Sequence, residues 1–404
     1  MTSFYNIYTE SGIEITDHVV GFSYEEAQDK EDMLTLRMRD NTPTLSLISD
    51  DELIKGKRLI FVFGVVGGKQ SGKKYARIIN KTRRYGSSGA VMDIQAFDDG
   101  YVLKKKQWST VWKDKTISEI MLSIAGRNGL NTKIESTNIR YGHMPQGNRT
   151  DWDFCKYLAG IEKDGSMRFY VRNGVLNFTR LELEKESIRA YEYGADGNII
   201  SLDIREQGST QSSGADSTEA VSYDPLTGKT YQKKVDSGNA VDDIKLGRYD
   251  INDKGELGEL KPGNTSKTNP SSEQSGVLLP VVADSQQETS NIANQIKKSS
   301  AMEGYKASLT IALDPTISPD VIISIKGVSI VDSGNYYILS TKHDIANGGG
   351  RTVLELRKNA ASKKALAGQE QNSKSKTNDK VADSDSDKKS VPLVVIDENG
   401  NIIK

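Results

Sequence analysis

Apolar and polar residues alternate in two well-separated stretches of the chain, and each alternation predicts an antiparallel β meander. In the first, Leu34, Leu36 and Met38 are apolar at every second position of Met33–Arg39, the period of a half-buried strand. The run Leu59–Val66 is rich in Val, Phe and Ile and breaks at Gly67-Gly68. A strand over Tyr75–Arg84, a Gly86-Ser87-Ser88-Gly89 turn and an alternating strand over Val91–Phe97 complete the unit. The pattern returns with Ala307–Leu313, Val321–Ile325, Tyr336–His343 and Arg351–Leu356, the last preceded by Asn347-Gly348-Gly349-Gly350. Strand starts fall about 15 residues apart in both units, after the lead-ins Asp50-Asp51 and Pro319-Asp320. Such self-similarity predicts two barrel-like copies of one unit.

Between the copies the period lengthens. Thr116, with Glu119 three residues later, has the form of a capping box. Ile117, Ile120, Met121 and Ile124 then share one helical face, and Asn128-Gly129 stops it. Thr150-Asp151-Trp152-Asp153 suits a second helix N-terminus, with Phe154, Leu158 and Ile161 as its stripe and Lys163-Asp164-Gly165 as its end. Asn173-Gly174 then turns a hairpin between Met167–Val171 and Val175–Thr179.

Two segments read differently. From Gly208 to about Ser290, Ser, Thr, Gly, Asn and Asp dominate and Phe and Trp are absent, a composition that buries little surface by itself. Turn chemistry at Tyr223–Lys229 suggests a local hairpin there, and Ile292–Met302 reads as a short helix. Ala361–Ser390 is charged, lacks aromatic residues and would span about 30 Å as a flexible coil. Beyond it Val391, Leu393, Val394, Val395 and Ile396 form a β-prone apolar peptide, suited to adding a strand to a partner's sheet edge or to packing back on its own domain.

The 404 residues allow two or three domains. A formal net charge of −1 argues against a general nucleic-acid binder or a polybasic membrane-surface protein. One cysteine, Cys155, excludes an intrachain disulfide, and with His18, His143 and His343 as the only imidazoles no metal or cofactor is expected. Met1–Ser11 has no cationic start or apolar run, so no secretory signal is expected, and no apolar stretch reaches the ~20 residues of a membrane helix.

Several motifs invite chemistry and fall short of it. Gly67-Gly68-Lys69-Gln70-Ser71-Gly72-Lys73-Lys74 approximates a phosphate-binding loop, but Lys74 replaces the hydroxyl residue and a strand, not a helix, follows. Cys155, set beside a helical stripe, reads as a small hydrophobe rather than the partner of His143. Asp151 and Asp153 suit a helix dipole better than a glycosidase pair. His343 has no accompanying Ser/Asp set. Lys104-Lys105-Lys106 with Trp108 and Trp112 could clamp single-stranded nucleic acid, but reads more simply as a connector with aromatic anchors. No catalytic residue is expected.

The ordered set of blocks resembles the late control D family of phage tail baseplate hubs, and the hub portion of type VI secretion spike proteins. It comprises Ser49–Phe61, Thr116–Ile120 with Ile124-Ala125 and Gly129-Leu130, and Arg149–Phe154 with Leu158-Ala159 and Gly165. Val175–Phe178, Gly334–Ile338, Lys342-His343 and Arg351–Leu354 close the set. The resemblance implies an α+β, mainly β fold: two tube-like antiparallel β-barrel domains with a helical/β insert and long polar linkers. The expected division is 1–108 for the first barrel, 109–190 for the insert, and 191–207 with 291–358 for the second barrel. Residues 208–290 would be a polar insertion, 359–390 a tether and 391–404 a docking peptide. It also implies a homotrimer joining a six-fold tail tube to a three-fold central spike, made in the host cytoplasm and resident in the virion tail. Expected partners are the spike, the tube, other baseplate proteins and, transiently, the tape measure protein. Peptidoglycan hydrolysis and receptor binding by a tail adhesin are the competing readings.

Overall fold

Alternation such as that of Leu34, Leu36 and Met38 drives one side of each strand into a core, and in the computed structural model that core lies under a twelve-stranded sheet. The structure describes residues 2–28, 30–40, 51–87, 89–162, 167–181, 183, 185–206, 217–224, 228–236, 276–280, 286–302, 305–329, 332–346, 348–358, 395–396 and 402–403.

Six strands open the chain: β1 (Ser3–Thr9), β2 (Val19–Ala27), β3 (Met33–Asp40), β4 (Arg58–Val65), β5 (Lys74–Gly86) and β6 (Gly89–Phe97). They lie in the order β1-β4-β5-β6-β3-β2, every neighbour antiparallel. Ile7, Leu36, Phe61, Phe63 and Ile94 are fully buried beneath them.

The insert follows. Its strands are β7 (Gln107–Trp108), β8 (Val111–Thr116), β9 (Asn131–Ile134), β10 (Arg140–Pro145), β11 (Arg149–Thr150), β12 (Met167–Arg172) and β13 (Val175–Arg180). Helices α1 (Ile117–Arg127) and α2 (Asp151–Ile161) carry its core. The Thr116–Glu119 capping box forms in both directions, and Thr150 Oγ1 accepts from the Asp153 amide at 3.1 Å. Asn173 and Gly174 sit at φ +50° and +74°, the left-handed pair that a two-residue type I′ turn requires.

The chain then returns to the large sheet with β14 (Ala190–Glu192) and β15 (Ile199–Glu206). Within the expected polar insertion it forms β16 (Ser217–Asp224), β17 (Lys229–Asp236) and β18 (Gly276–Pro280), a separate three-stranded sheet in the order β17-β16-β18. Helix α3 runs Gln286–Met302, starting six residues before the apolar pattern suggested; Ser222 and Thr289 share a 2.8 Å hydrogen bond that ties it to β16. Strands β19 (Tyr305–Ala312), β20 (Ile322–Lys326), β21 (Gly334–Ala346) and β22 (Gly349–Lys358) complete the order β14-β20-β21-β22-β19-β15. The remainder of the insertion and the tether lie outside the described residues.

One expectation needs correction: the two halves are not two closed barrels. β2 pairs with β21 and fuses both six-strand sets into one sheet, so closure of either set on itself is replaced by a junction between them.

Ala365–Lys404 is a separate unit. There β23 (Val395–Ile396) pairs antiparallel with β24 (Ile402–Ile403). Val391, Leu393 and Val394 of the expected docking peptide lie outside the described residues.

Candidate assembly interface

The two sets of six strands repeat one another in pairing as well as in order. The β5–β6 ladder shifts register between Ile78 and Asn80 and closes at Gly86–Gly89. The β21–β22 ladder shifts between Ile338 and Ser340 and closes at Ala346–Gly349, the same steps of an equally long hairpin. β2 carries a bulge between Val19 and Gly21 against β3, and β15 one between Ile199 and Ser201 against β19. Conserving a bulge conserves twist and the face on which each later side chain falls. The one departure is at the edge, where β14 runs parallel to β20 while β1 runs antiparallel to β4.

These correspondences locate an unfilled position. β21 is long enough for two partners on one side: β20 takes Gly334–Tyr337 and β2 takes Ser340–Ile345. β5 is equally long, and β4 takes its matching first part, Lys74–Arg77. Among the described residues nothing pairs with the matching second part, Asn80–Tyr85, on that side. Likewise β15, the counterpart of β2, has one edge against β19 and the other unpaired among the described residues.

Burial follows the pairing. Thr341, His343 and Ile345 of β21 are buried at 0%, 0% and 2% exposure, and Ile345 belongs to the core of the first set. Their counterparts by register are Lys81, Arg83 and Tyr85, and Tyr85 is 65% exposed. At the other open edge Leu202 and Ile204 are half-buried against the second core, and Ile200 on the bulge is 64% exposed. Among the described residues, open backbone edges thus lie along Asn80–Tyr85 of β5, beside the exposed Tyr85, and along β15, beside Ile200, an arrangement that templates strand addition.

The internal junction supplies the register. Phe22 faces Ile345, Ser23 faces Asp344, Tyr24 faces His343 and Glu25 faces Lys342. By the shared bulges Leu202, Asp203 and Arg205 of β15 correspond to Phe22, Ser23 and Glu25 of β2, and Tyr85, Arg84 and Thr82 of β5 correspond to Ile345, Asp344 and Lys342 of β21. Arg84 and Arg37 both pair with Asp93, whose carboxyl is held below the usual range chiefly by the Arg37 hydrogen bond.

The residues singled out by motif fall elsewhere. Gly67–Lys73 lies in the loop between β4 and β5, and Lys74 opens β5 rather than a helix. His343 is buried, its Nδ1 3.0 Å from Thr352 Oγ1 and its ring 4.9 Å from that of Phe63; burial pushes its pKa down to about 4, keeping the imidazole neutral. Cys155 is fully buried in α2 and burial pushes its thiol well up. Asp151 accepts from Arg127 Nε at 3.0 Å and from Asn128 Nδ2 and Gln146 Nε2 at 2.8 Å each, so it ties α1 to α2. Asp153 accepts from Thr150 Oγ1 at 2.7 Å, a cap contact.

The basic run spends its charges on its own aromatic rings. Lys106 Nζ lies 3.8 Å from the Trp108 ring, and Lys104 Nζ lies 4.7 Å from Trp152 and 2.6 Å from Glu31. Arg127 covers Trp108 and Trp112 at 4.4 and 5.5 Å. Such stacking anchors a connector and leaves the ring faces occupied.

The β5 edge was missed by motif reasoning. Its signal was local: Lys81, Arg83 and Tyr85 occupy the alternating positions that should be apolar if that half of the strand covered its own core.

Among the described residues, no group of acidic, histidine or cysteine side chains could hold a metal ion, and no helix is long and apolar enough to cross a membrane. A family model described as the Alg8 N-terminal domain matches residues 44–347. No curated protein matches the chain by sequence. Among solved structures, a tail protein from Neisseria meningitidis MC58 superposes with a TM-score of 0.62 at 10% identity, covering 88% of this chain and 97% of that one. The 43 kDa tail protein of prophage MuSo2 from Shewanella oneidensis gives 0.63 at 9% identity, covering 88% and 98%. A prophage tail protein from Listeria monocytogenes EGD-e gives 0.51 at 11% identity, covering 87% and 94%. The fold is that of phage tail proteins.

Proposed function

The chain belongs to the family described as the Alg8 N-terminal domain, and we propose that this protein is a structural hub of a phage or phage-like tail whose copies join edge to edge into a closed ring of three. The fold it shares with tail proteins supports the setting. The open edge of β5 beside its filled counterpart on β21 carries the assembly reading.

β2 meets β21 inside each chain, and β15 of one copy meets Asn80–Tyr85 of the next. Each contact is head to tail, so repeating it yields either a ring or a filament, and the rotation decides which. Three copies of a doubled unit give six near-equivalent positions, which lets a three-fold component sit against a six-fold tube. The role is mechanical: each new junction completes a β ladder and covers Tyr85, Leu202 and Ile204. Full burial of an exposed apolar side chain contributes about 1.5–3 kcal/mol, of which the half-buried Leu202 and Ile204 gain only a part. The C-terminal peptide Val391, Leu393, Val394, Val395 and Ile396 is the proposed docking point for a central spike.

A paired substitution tests this directly. Asp203→Cys with Arg84→Cys places thiols on residues that face one another only between copies. Oxidation should yield covalent dimers and closed trimers on a non-reducing gel, since opposed strand positions bring Cα atoms within disulfide range. Monomers alone under oxidation, with the same pair exchanging freely with glutathione, would reject the seam.

A further inference from the structure

The face of the large sheet turned away from both cores carries a charge pattern that strand pairing does not use. Across β22, β21, β2, β3, β6 and β5 the ladders align Arg351, Asp344, Ser23, Thr35, Gln95 and Asn80 in one row. Five strand spacings make that row about 24 Å long. From Asp344 to Asn80 the row lines a groove of about 510 Å³, which Arg37, Thr82, Arg84 and Asp93 also line.

Two carboxylates on this face are each bracketed by two cations. Asp93 pairs with Arg84 and, at 2.9 Å, with Arg37 Nε. Asp344 lies 3.6 Å from both Lys342 Nζ and Arg351 Nε. The acids sit low, with side chains 18% and 24% exposed, while Arg37, Arg84, Lys342 and Arg351 stand at 60%, 61%, 48% and 63%. One carboxylate balances one cation, so each cluster presents surplus positive charge to solvent. Arg39, exposed on the same face across Val91 from Arg84, adds to it. Glu25, the next carboxylate on β2, is held by Lys30 at 2.5 Å. The whole chain carries −1, so the surplus belongs to this face and not to the composition.

The side chains between the clusters narrow the ligand. Arginine forks match phosphate oxygens in pairs, and Arg37, Arg39, Arg84 and Arg351 supply four of them. Ser23, Thr35, Asn80, Thr82 and Gln95 add hydroxyls and amides suited to phosphate and sugar oxygens. The one aromatic ring lining the groove, Phe22, is buried, so unstacked bases find no platform there. A ligand with its charges outside and its bases already stacked fits these conditions. We propose that this face holds the phosphate backbone of duplex nucleic acid, with the standing arginines on phosphates and no base read. The contact is electrostatic and sequence-independent, and it needs one copy of the chain only.

Anisotropy of a short labelled DNA duplex of mixed sequence, titrated with the full chain, reads the contact. The wild type should bind at low salt, and log affinity should fall against log salt with a slope of about −3, as for three neutralised phosphates. Arg37→Gln with Arg351→Gln removes one cation from each cluster and touches neither core. Affinity should drop by at least about tenfold and the slope should shrink to about −1. Arg351→Gln alone should remove about one unit of slope, a second reading if the pair disturbs folding. Arg140→Gln with Arg180→Gln takes equal charge from exposed positions of the insert and should leave affinity and slope unchanged.

Absence of binding at low salt, an unchanged slope in the Arg37 and Arg351 variants, or equal losses in the insert variants would each overturn the proposal. Polyglutamate that displaces the labelled duplex as well as unlabelled duplex does would overturn it too, by assigning the face to an acidic protein. Neither Arg37 nor Arg351 lies on an open strand edge, so a chain that proves monomeric is tested equally, and failure of the ring is read apart from failure of this contact.

Discussion

β5 and β21 are matching strands, equal in length, bulged at the same step and closed at the same step, yet among the described residues the outer half of one is covered and that of the other bare. On β21 the outer half is paired by β2, and the side chains turned inward are Thr341, His343 and Ile345. On β5 the outer half carries Lys81, Arg83 and Tyr85 at matching positions. A buried junction within the chain has been filled with a threonine, a neutral histidine and an isoleucine. The open one carries longer, more polar side chains, of which Arg83 and Tyr85 are exposed. The difference teaches that the same strand framework accepts a covered junction and an open edge by changing the side chains of one half-strand, and the proposed ring uses the covered junction as its template.

Breaking the covered side should produce the largest effect. Ile345→Asp sets a carboxylate in the first core and should cost about 3–5 kcal/mol in thermal or chemical unfolding. Tyr85→Asp, the matching change on the open edge, should alter the stability of the single chain by less than about 0.5 kcal/mol. Equal losses at the two sites would dissolve the comparison.

His343 offers the next test, since Arg83 replaces it on the bare strand. Its pKa is lowered to about 4 by burial, so the folded state favours the neutral ring. The contribution is fully present above the unfolded value near 6.5 and is lost as pH falls towards 4. Relative to His343→Gln, the wild type should lose about 3 kcal/mol across that window. The comparison with the variant matters because Asp32 shifts in the opposite sense over an overlapping range. Parallel pH profiles for the two proteins would contradict the assignment.

Smaller effects sharpen the open side. Arg84→Asp should weaken self-association about tenfold in sedimentation, and adding Asp203→Arg should recover most of it, the signature of a coupled pair. Independent losses in the double variant would shift the register away from the one inferred. Raising salt should weaken association only a few-fold, because backbone pairing and apolar cover do most of the work while charge is screened.

Much of this organisation was legible along the chain where the cause is local. The Thr116–Glu119 cap, the Asn173-Gly174 turn and the alternation of Leu34, Leu36 and Met38 each declare themselves within a few residues. The repeat was visible through turn spacing. The β2–β21 junction was not, because residues as distant as Phe22 and Ile345 meet through packing that no local period encodes. Closed barrels were therefore expected where one continuous sheet exists. The strands within Gly208–Ser290 were obscured by composition: β16 is polar along most of its length and draws its order from β17, β18 and α3.

Native mass spectrometry of the full chain tests the central claim most directly. The ring predicts a dominant species of about 133 kDa, three times the 44.4 kDa chain, that Tyr85→Asp converts to monomer. A chain that stays at 44.4 kDa at every concentration, or an open ladder of growing masses, would contradict it.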